Sequence, residues 1–163
     1  MSVRSLAILG GLLAACGDTG GKAAEAMDAA DPSDAGDAAD AGDAGGDTFH
    51  AGMSRLGTAG KLSVVLDAVD PAPPQRDVNT WNVHVRDTAD AGVSGCDVAV
   101  SLYMPAHMHG SSVVPKVAEI PNDAGGYTVS DLYFFMPGLW EVTFDLTCAE
   151  VTDRVVYSFW IAR

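Results

Sequence analysis

The sequence predicts an all-β fold for residues 61–163. Apolar and polar residues alternate there in seven short runs, turn-forming residues separate the runs, and no stretch carries an apolar stripe at helical spacing. Together these observations predict a seven-stranded antiparallel β-sandwich of immunoglobulin-like type, with a small barrel as the alternative. A length of about 100 residues is ordinary for one domain with one core.

The first sixteen residues have the features of an export signal. Arg4 precedes an apolar run from Leu6 to Ala15, which is too short to span a bilayer. The following "LAAC", Leu13–Cys16, resembles the lipobox of bacterial lipoproteins, in which the signal is cut before a cysteine that carries lipid. The sequence therefore predicts a signal peptide over 1–15 and a membrane anchor on Cys16, with an ordinary secretory signal as the alternative. The resemblance to lipoproteins implies a location as well: Gly17, rather than an aspartate, follows the cysteine, which by their sorting rules favours an outer membrane, facing the periplasm or the cell surface.

Residues 16–60 are predicted to be a disordered tether. Aspartate recurs at every third position from Asp28 to Asp43 among alanine and glycine, which bury too little apolar area to offset ordering. A calcium loop needs a fixed backbone that makes carboxylates converge, and this composition lacks that rigidity.

The acidic segment accounts for much of the formal net charge of −13. Nine of the 22 acidic residues precede Thr48, against two basic residues. The remaining domain is only mildly acidic, so nucleic acid is not expected as a partner.

The seven predicted strands follow one another with period-two alternation. In "TWNVHVR", Trp81, Val83 and Val85 are predicted to face the core, whereas His84 faces outward as a surface histidine. The runs in chain order are "KLSVVLDA", "TWNVHVR", "CDVAVSLYM", "SVVPKVAEI", "GGYTVSDLYF", "LWEVTFDLTC" and "DRVVYSFWIA".

Two cysteines remain once Cys16 is assigned to lipid. Cys96 shares parity with Val98, and Cys148 shares parity with Leu146, so both are predicted to point inward. An even pair in an oxidising compartment predicts a Cys96–Cys148 disulfide, with two separate buried thiols as the alternative.

"YMPAHMHG" concentrates possible metal ligands at a predicted strand end or loop at one end of the sandwich. If the backbone is extended, His107 and His109 project to one side and Met108 to the other, and Met104 or a residue from another loop completes the shell. Imidazole binds copper in either redox state and thioether favours Cu(I), so this donor set points to copper. A structural zinc site is disfavoured, because no cysteine is nearby and both remaining cysteines are predicted to face the core.

A second methionine–proline pair occurs in "FFMPGLWEV". If its loop folds toward the same end of the sandwich, Met136 joins the donor set; packing into the core is the alternative reading for that side chain.

The segments "SGCDVAVSLYMPAHMHG", "GGYTVSDLYFFMPGLWEVTFDL" and "DRVVYSFWI" resemble the YtkA-like domain, a relative of the FixH group. The resemblance covers about residues 60–163 and implies a small exported or membrane-anchored β-sandwich linked to copper handling and oxidase assembly. It implies that Met104, His107, His109 and Met136 stand at the family's motif positions. The family usually has glycine where Met108 stands, so that methionine is either an added ligand or a space filler.

Two functions follow from these residues. The first is a lipid-anchored periplasmic module that binds copper as a chaperone or buffer. The alternative is a non-catalytic domain that contacts another envelope protein without metal. An enzyme is not expected, because no nucleophile–base–acid constellation and no phosphate-binding glycine loop stand out.

Overall fold

The computed structural model describes residues 45–163, so the predicted signal peptide, Cys16 and residues 17–44 lie outside the described part. The described chain forms nine strands, β1 to β9, and one short 3-10 turn. In chain order these are β1 Met53–Leu56, β2 Leu62–Asp70, β3 Asp77–Asp87, β4 Asp97–Met104, the turn Pro105–His107, β5 His109–Gly110, β6 Lys116–Glu119, β7 Gly126–Phe134, β8 Gly138–Cys148 and β9 Val151–Ile161. Within residues 45–163, none of the helical structure is long and apolar enough to cross a membrane.

The strands form two antiparallel sheets that pack face to face. One sheet has the order β1-β2-β3-β7-β6 and the other β5-β4-β8-β9. The predicted immunoglobulin-like β-sandwich is confirmed, but the strand count is nine where seven were expected. The two additional strands have four and two residues, and segments this short carry no periodic signal.

The core is built from the inward-facing residues of both sheets, as the alternation predicts. Trp81 is fully buried at its centre, with ring centroids 5.5 Å from Phe159, 6.3 Å from Phe134 and 6.5 Å from Phe144. Rings from β3, β7, β8 and β9 therefore meet around one side chain, which joins the two sheets through apolar burial.

The folded domain begins well before residue 61. Strand β1, which lies in the predicted tether, pairs with β2 in the five-stranded sheet. Nearby, Ser158 N–H on β9 donates to Asp47 Oδ2 at 2.8 Å, and Arg55 Nη1–H donates to the Val156 carbonyl at 2.6 Å. The predicted start at residue 61 is therefore too late. Residues 47–58, here called the strap, contact the edge strand β9. An uncovered edge strand has unpaired backbone groups that can pair with another chain and cause aggregation.

The predicted disulfide is present between Cys96 and Cys148. Asp97 on β4 is the register partner of Thr147 on β8, so the two cysteines form the next opposed pair, with Cα atoms 4.2 Å apart. Cys148 is buried and Cys96 is half-buried. The bond therefore links neighbouring strands of one sheet and does not join the two sheets.

Candidate metal centre

Of the strand end or loop expected from the sequence, the histidine-bearing segment is a loop, in the form of a tight hairpin. Pro105, which lacks a backbone donor, opens a 3-10 turn that ends at His107. Met108 then adopts a left-handed conformation with φ 54°, and its N–H bonds to the Pro105 carbonyl at 3.3 Å. The chain thereby reverses, and His109 returns to pair with the end of β4.

This reversal places His109 directly opposite Met104. The two residues are register partners, and directly opposed residues in an antiparallel pair share a face with Cβ atoms about 5 Å apart. Met104 is 1% exposed and faces the core, and His109 is half-buried beside it. A thioether and an imidazole are therefore neighbours at one end of the sandwich.

The two histidine rings lie close together although the backbone is not extended. Their centroids are 5.7 Å apart with an interplanar angle of 40°. Two imidazoles that bind one ion through nitrogens at about 2 Å have ring centres about 5–6 Å apart, so this spacing fits a shared ion. His107 also lines an open groove of about 490 Å³ together with Met104. Met104, His107 and His109 thus occupy one small region.

The second methionine–proline turn lies beside this hairpin. Pro137 and Gly138 line the same groove as His107. Met136 itself is half-buried against the core, and its carbonyl accepts a hydrogen bond from Trp140 Nε1–H at 3.0 Å. The structure brings the turn to the hairpin, but the Met136 side chain is not among those lining the groove.

Met108 is the most exposed of the predicted ligands. Its side chain is 81% exposed at the tip of the hairpin, and it does not line the groove. Of the five predicted metal ligands, strand pairing and ring proximity link Met104, His109 and His107, whereas Met108 faces solvent and Met136 packs against the core.

Two aromatic residues that the sequence did not single out contact the predicted ligand His109. Phe135 stacks on the His109 ring at 5.3 Å and 25°, and Trp140 meets it edge-on at 6.3 Å and 67°. Both residues are present in the motif "FFMPGLW". Strand parity alone does not show that their rings contact a histidine from another hairpin. Phe135 and Trp140 therefore restrict the orientation of the His109 ring and make one side of the site apolar.

The donor set suits a soft ion better than a hard one. No three His, Cys, Asp or Glu side chains in residues 45–163 are placed to hold an ion together, so an all-imidazole or carboxylate shell is not formed there. Two imidazoles with a buried thioether match copper, particularly Cu(I), and offer nothing to calcium or magnesium.

Gly138 makes room for Met104, and its replacement tests that contact. Gly138 has φ 134°, and a Cβ there would collide with the Met104 terminal methyl group. We expect Gly138→Ala to cost about 2 kcal/mol of unfolding free energy through backbone strain and displacement of Met104. Gly60 is the control for a positive φ alone, because it has φ 67° with nothing within 4 Å of an added Cβ. Equal losses for Gly138→Ala and Gly60→Ala in urea denaturation would show that neither the φ of 134° nor the Met104 contact adds to the cost.

These features define a β-sandwich domain with an imidazole–thioether turn at one end. The chain belongs to the YtkA-like family, which it matches over residues 59–145. The resemblance seen in the sequence is confirmed.

Two solved structures are similar to this chain in backbone structure at low sequence identity. A DUF4426 family protein from Pseudomonas aeruginosa PAO1 has a TM-score of 0.45 and 13% identity, over 63% of this chain and 91% of its own. A copper-bound variant of FetP from uropathogenic Escherichia coli strain F11 has a TM-score of 0.45 and 7% identity, over 69% of this chain and 95% of its own. No curated protein sequence matches this chain. Likeness at this level bears on neither ligand nor activity.

Proposed function

We propose that this protein is a lipid-anchored module of the cell envelope that binds copper at His107, His109 and Met104. The observation that carries the proposal is the grouping of these three side chains by the β4–β5 hairpin, with ring centroids 5.7 Å apart and the thioether directly opposite His109. Imidazole and thioether together favour copper over the other common biological metals.

The exposure of the two histidines favours exchange of the ion over permanent storage. His107 is exposed and His109 is half-buried, whereas Met104 lies beneath them in the core. An incoming ligand from another molecule can reach the histidine side without unfolding the domain. This arrangement supports a chaperone or buffer role, in which copper is held and passed on.

The proposed location rests on the first part of the chain and on the disulfide. The "LAAC" segment supports lipid attachment at Cys16, outside the described residues, and the Cys96–Cys148 bond suits an oxidising compartment. We propose a lipid anchor in the outer membrane, facing the periplasm or the cell surface.

The test is copper affinity measured against a competing chelator, with the chain from residue 17 onward so that the strap is kept. We expect the His107→Ala, His109→Ala double variant to lose at least about 100-fold in Cu(I) affinity, since two of three donors are removed. His50→Ala, an exposed histidine outside the hairpin, is the matched control and should be unchanged. Equal affinity in the double variant and the unmodified chain would rule the proposal out.

Methionine variants separate the thioether's role from that of the imidazoles. Met104→Leu keeps the volume and removes the sulfur, so Cu(I) affinity should fall about tenfold while Cu(II) affinity changes little. Met108→Leu makes the same chemical change at an exposed position and should alter neither affinity.

A metal-independent contact with another envelope protein is the second candidate function. Trp160 is 57% exposed and lines the groove beside His107, and a large exposed aromatic side chain of this kind is enriched at protein interfaces. Partner capture that persists in the histidine double variant and is lost in Trp160→Ala would favour this function.

A further inference from the structure

His84 is held between two carboxylates on the outer face of the five-stranded sheet. The sequence predicted a surface histidine, but the side chain is only 22% exposed and both ring nitrogens are engaged. Nδ1 lies 2.6 Å from Asp67 Oδ2, and Nε2 lies 2.9 Å from Asp123 Oδ1. The three side chains come from three separate elements of the fold.

Each carboxylate reaches the ring from a different direction. Asp67 lies on β2, next to β3, whereas Asp123 belongs to the turn of residues 120–125 between β6 and β7. Gly126 is the register partner of His84 on β7, and a Cβ at Gly126 would lie 2.6 Å from Asp123 Oδ2. The absence of a side chain at Gly126 therefore leaves the space that the Asp123 carboxylate fills.

With both aspartates ionised, only a protonated His84 ring can donate a hydrogen bond to each of them. Imidazolium donates from both nitrogens, whereas the neutral ring has one donor and one lone pair, and a lone pair facing a carboxylate oxygen at under 3 Å is repulsive. The carboxylates lie at opposite ends of the ring, so a single metal ion cannot replace the proton in this arrangement.

The other charged groups nearby are already engaged. Arg86, two residues along β3, forms an ion pair with Asp90 at 2.9 Å, and Glu119 on β6 accepts from Gly95 N–H at 3.0 Å. On β7 the neighbouring side chain is Thr128, which does not titrate and donates to Asn82 Oδ1. In residues 45–163, no lysine or arginine forms an ion pair with Asp67 or Asp123. Both carboxylates pair with His84, and Arg86 adds a longer-range attraction to Asp67.

We propose that Asp67, His84 and Asp123 form a pH-sensitive clamp that fastens the tip of the 120–125 turn to the sheet and releases it as pH rises. The Asp123 contact is the one that opens. It is the longer of the two, its carboxylate is more exposed, at 44% against 35% for Asp67, and it belongs to a turn and not to a strand.

The base of the turn stays in place when the clamp opens. Ile120 N–H bonds to the Gly126 carbonyl at 2.8 Å, and Gly125 N–H bonds to Ser94 Oγ at 3.0 Å, independently of His84. Asp123 also keeps two backbone bonds of its own, from its N–H to the Ile120 carbonyl at 3.3 Å and from Gly126 N–H to its carbonyl at 3.0 Å. Release therefore frees the Asp123 side chain and is confined to residues 121–124. These residues form one wall of an open hollow of about 530 Å³, so the shape of this surface changes with pH.

The direction of the pH dependence follows from the hydrogen bonds. The bond to Asp67, and then the bond to Asp123, raise the pKa of His84 above its ordinary value, and burial opposes them. A raised pKa in the folded state means that the contribution to stability is fully present below about pH 6.5 and is lost as the pH rises through the folded-state pKa.

An NMR titration of the isotopically labelled chain from residue 17 onward tests the clamp without any variant. The His84 ring signals should titrate with a midpoint above 6.5, and the backbone amide signals of residues 121–124 should shift with the same midpoint. A midpoint at or below 6.5, or amides in the turn that do not follow it, would overturn the proposal.

Three variants identify the groups responsible. Asp123→Asn and Asp67→Asn should each lower the His84 midpoint, and His84→Gln should abolish the coupled shift of the turn amides while the rest of the spectrum stays dispersed. Asp145→Asn is the matched control, because that carboxylate pairs with Arg154 in the other sheet. A shift caused equally by Asp145→Asn would contradict a local clamp.

Discussion

Replacing both bridging cysteines, as Cys96→Ala with Cys148→Ala, should lower the free energy of unfolding by about 4 kcal/mol, the value expected when a loop of this length is no longer closed in the unfolded chain. The bond spans a sequence separation of 52 residues, which include β4 to β7 and the whole histidine hairpin. Urea denaturation of the oxidised chain and the double variant measures the difference.

The reduced protein is the matched control for the cysteine pair. A reducing agent should destabilise the unmodified chain by a similar amount and leave the double variant unchanged, because only the former has a bond to lose. A loss below about 1 kcal/mol would mean that the bond does not constrain the unfolded chain as the loop model requires. The site should persist in the double variant, since Cys96 and Cys148 lie at the opposite ends of β4 and β8 from the hairpin.

The second large effect is expected at Asp153, whose carboxylate organises the start of β2. Its two oxygens accept hydrogen bonds from four backbone N–H groups, at distances of 2.7–2.9 Å. The donors are Ala59, Lys61, Leu62 and Arg154. Asp153→Asn replaces one acceptor by a donor and should cost about 3 kcal/mol, because backbone donors lose their partner in a buried site.

The dependence of the free energy of unfolding on acidic pH also tests the role of Asp153. Burial opposes ionisation of Asp153, but the backbone hydrogen bonds outweigh it and the pKa of this carboxyl is lowered. A lowered folded-state pKa gives stability that is present above about pH 3.9 and is lost as the pH falls through the folded-state value. Asp153→Asn should therefore show a shallower loss of stability on acidification.

Asp145 again supplies the matched control. It faces solvent on β8, where its exposed ion pair with Arg154 is expected to contribute less than about 1 kcal/mol. If Asp145→Asn proved as costly as Asp153→Asn, the loss would reflect net charge and not the backbone contacts of Asp153.

The strands were predictable because a half-buried strand leaves a period-two pattern. The alternation around Trp81, Val98 and Trp140 is the alternation of buried residues in β3, β4 and β8. The same parity argument predicted that both cysteines face inward. Strand β1 was missed because four residues beside an acidic segment show no period, and its pairing with β2 depends on a partner distant in the chain.

The candidate site was predictable only in its composition. Two histidines and two methionines within six residues are visible in the letters, and the structure brings Met104, His107 and His109 together while Met108 turns outward. The backbone is not extended here, so the side-chain directions expected for an extended segment do not apply, because Pro105 and a left-handed Met108 close a hairpin. Their roles as ligands remain predictions for the copper titrations.

The sequence by itself determined the all-β class, the inward parity of Cys96 and Cys148, the family, and the candidate ligands for a soft metal ion. These properties are local, because each depends on periodicity, composition or a short motif. The tertiary structure alone decided that the strap joins the domain, that Asp153 holds four backbone donors, that Phe135 lies against His109, and that His84 lies between Asp67 and Asp123. Each of these contacts joins side chains or backbone groups from separate elements, and the packing of two sheets, not the spacing of letters, sets their distances.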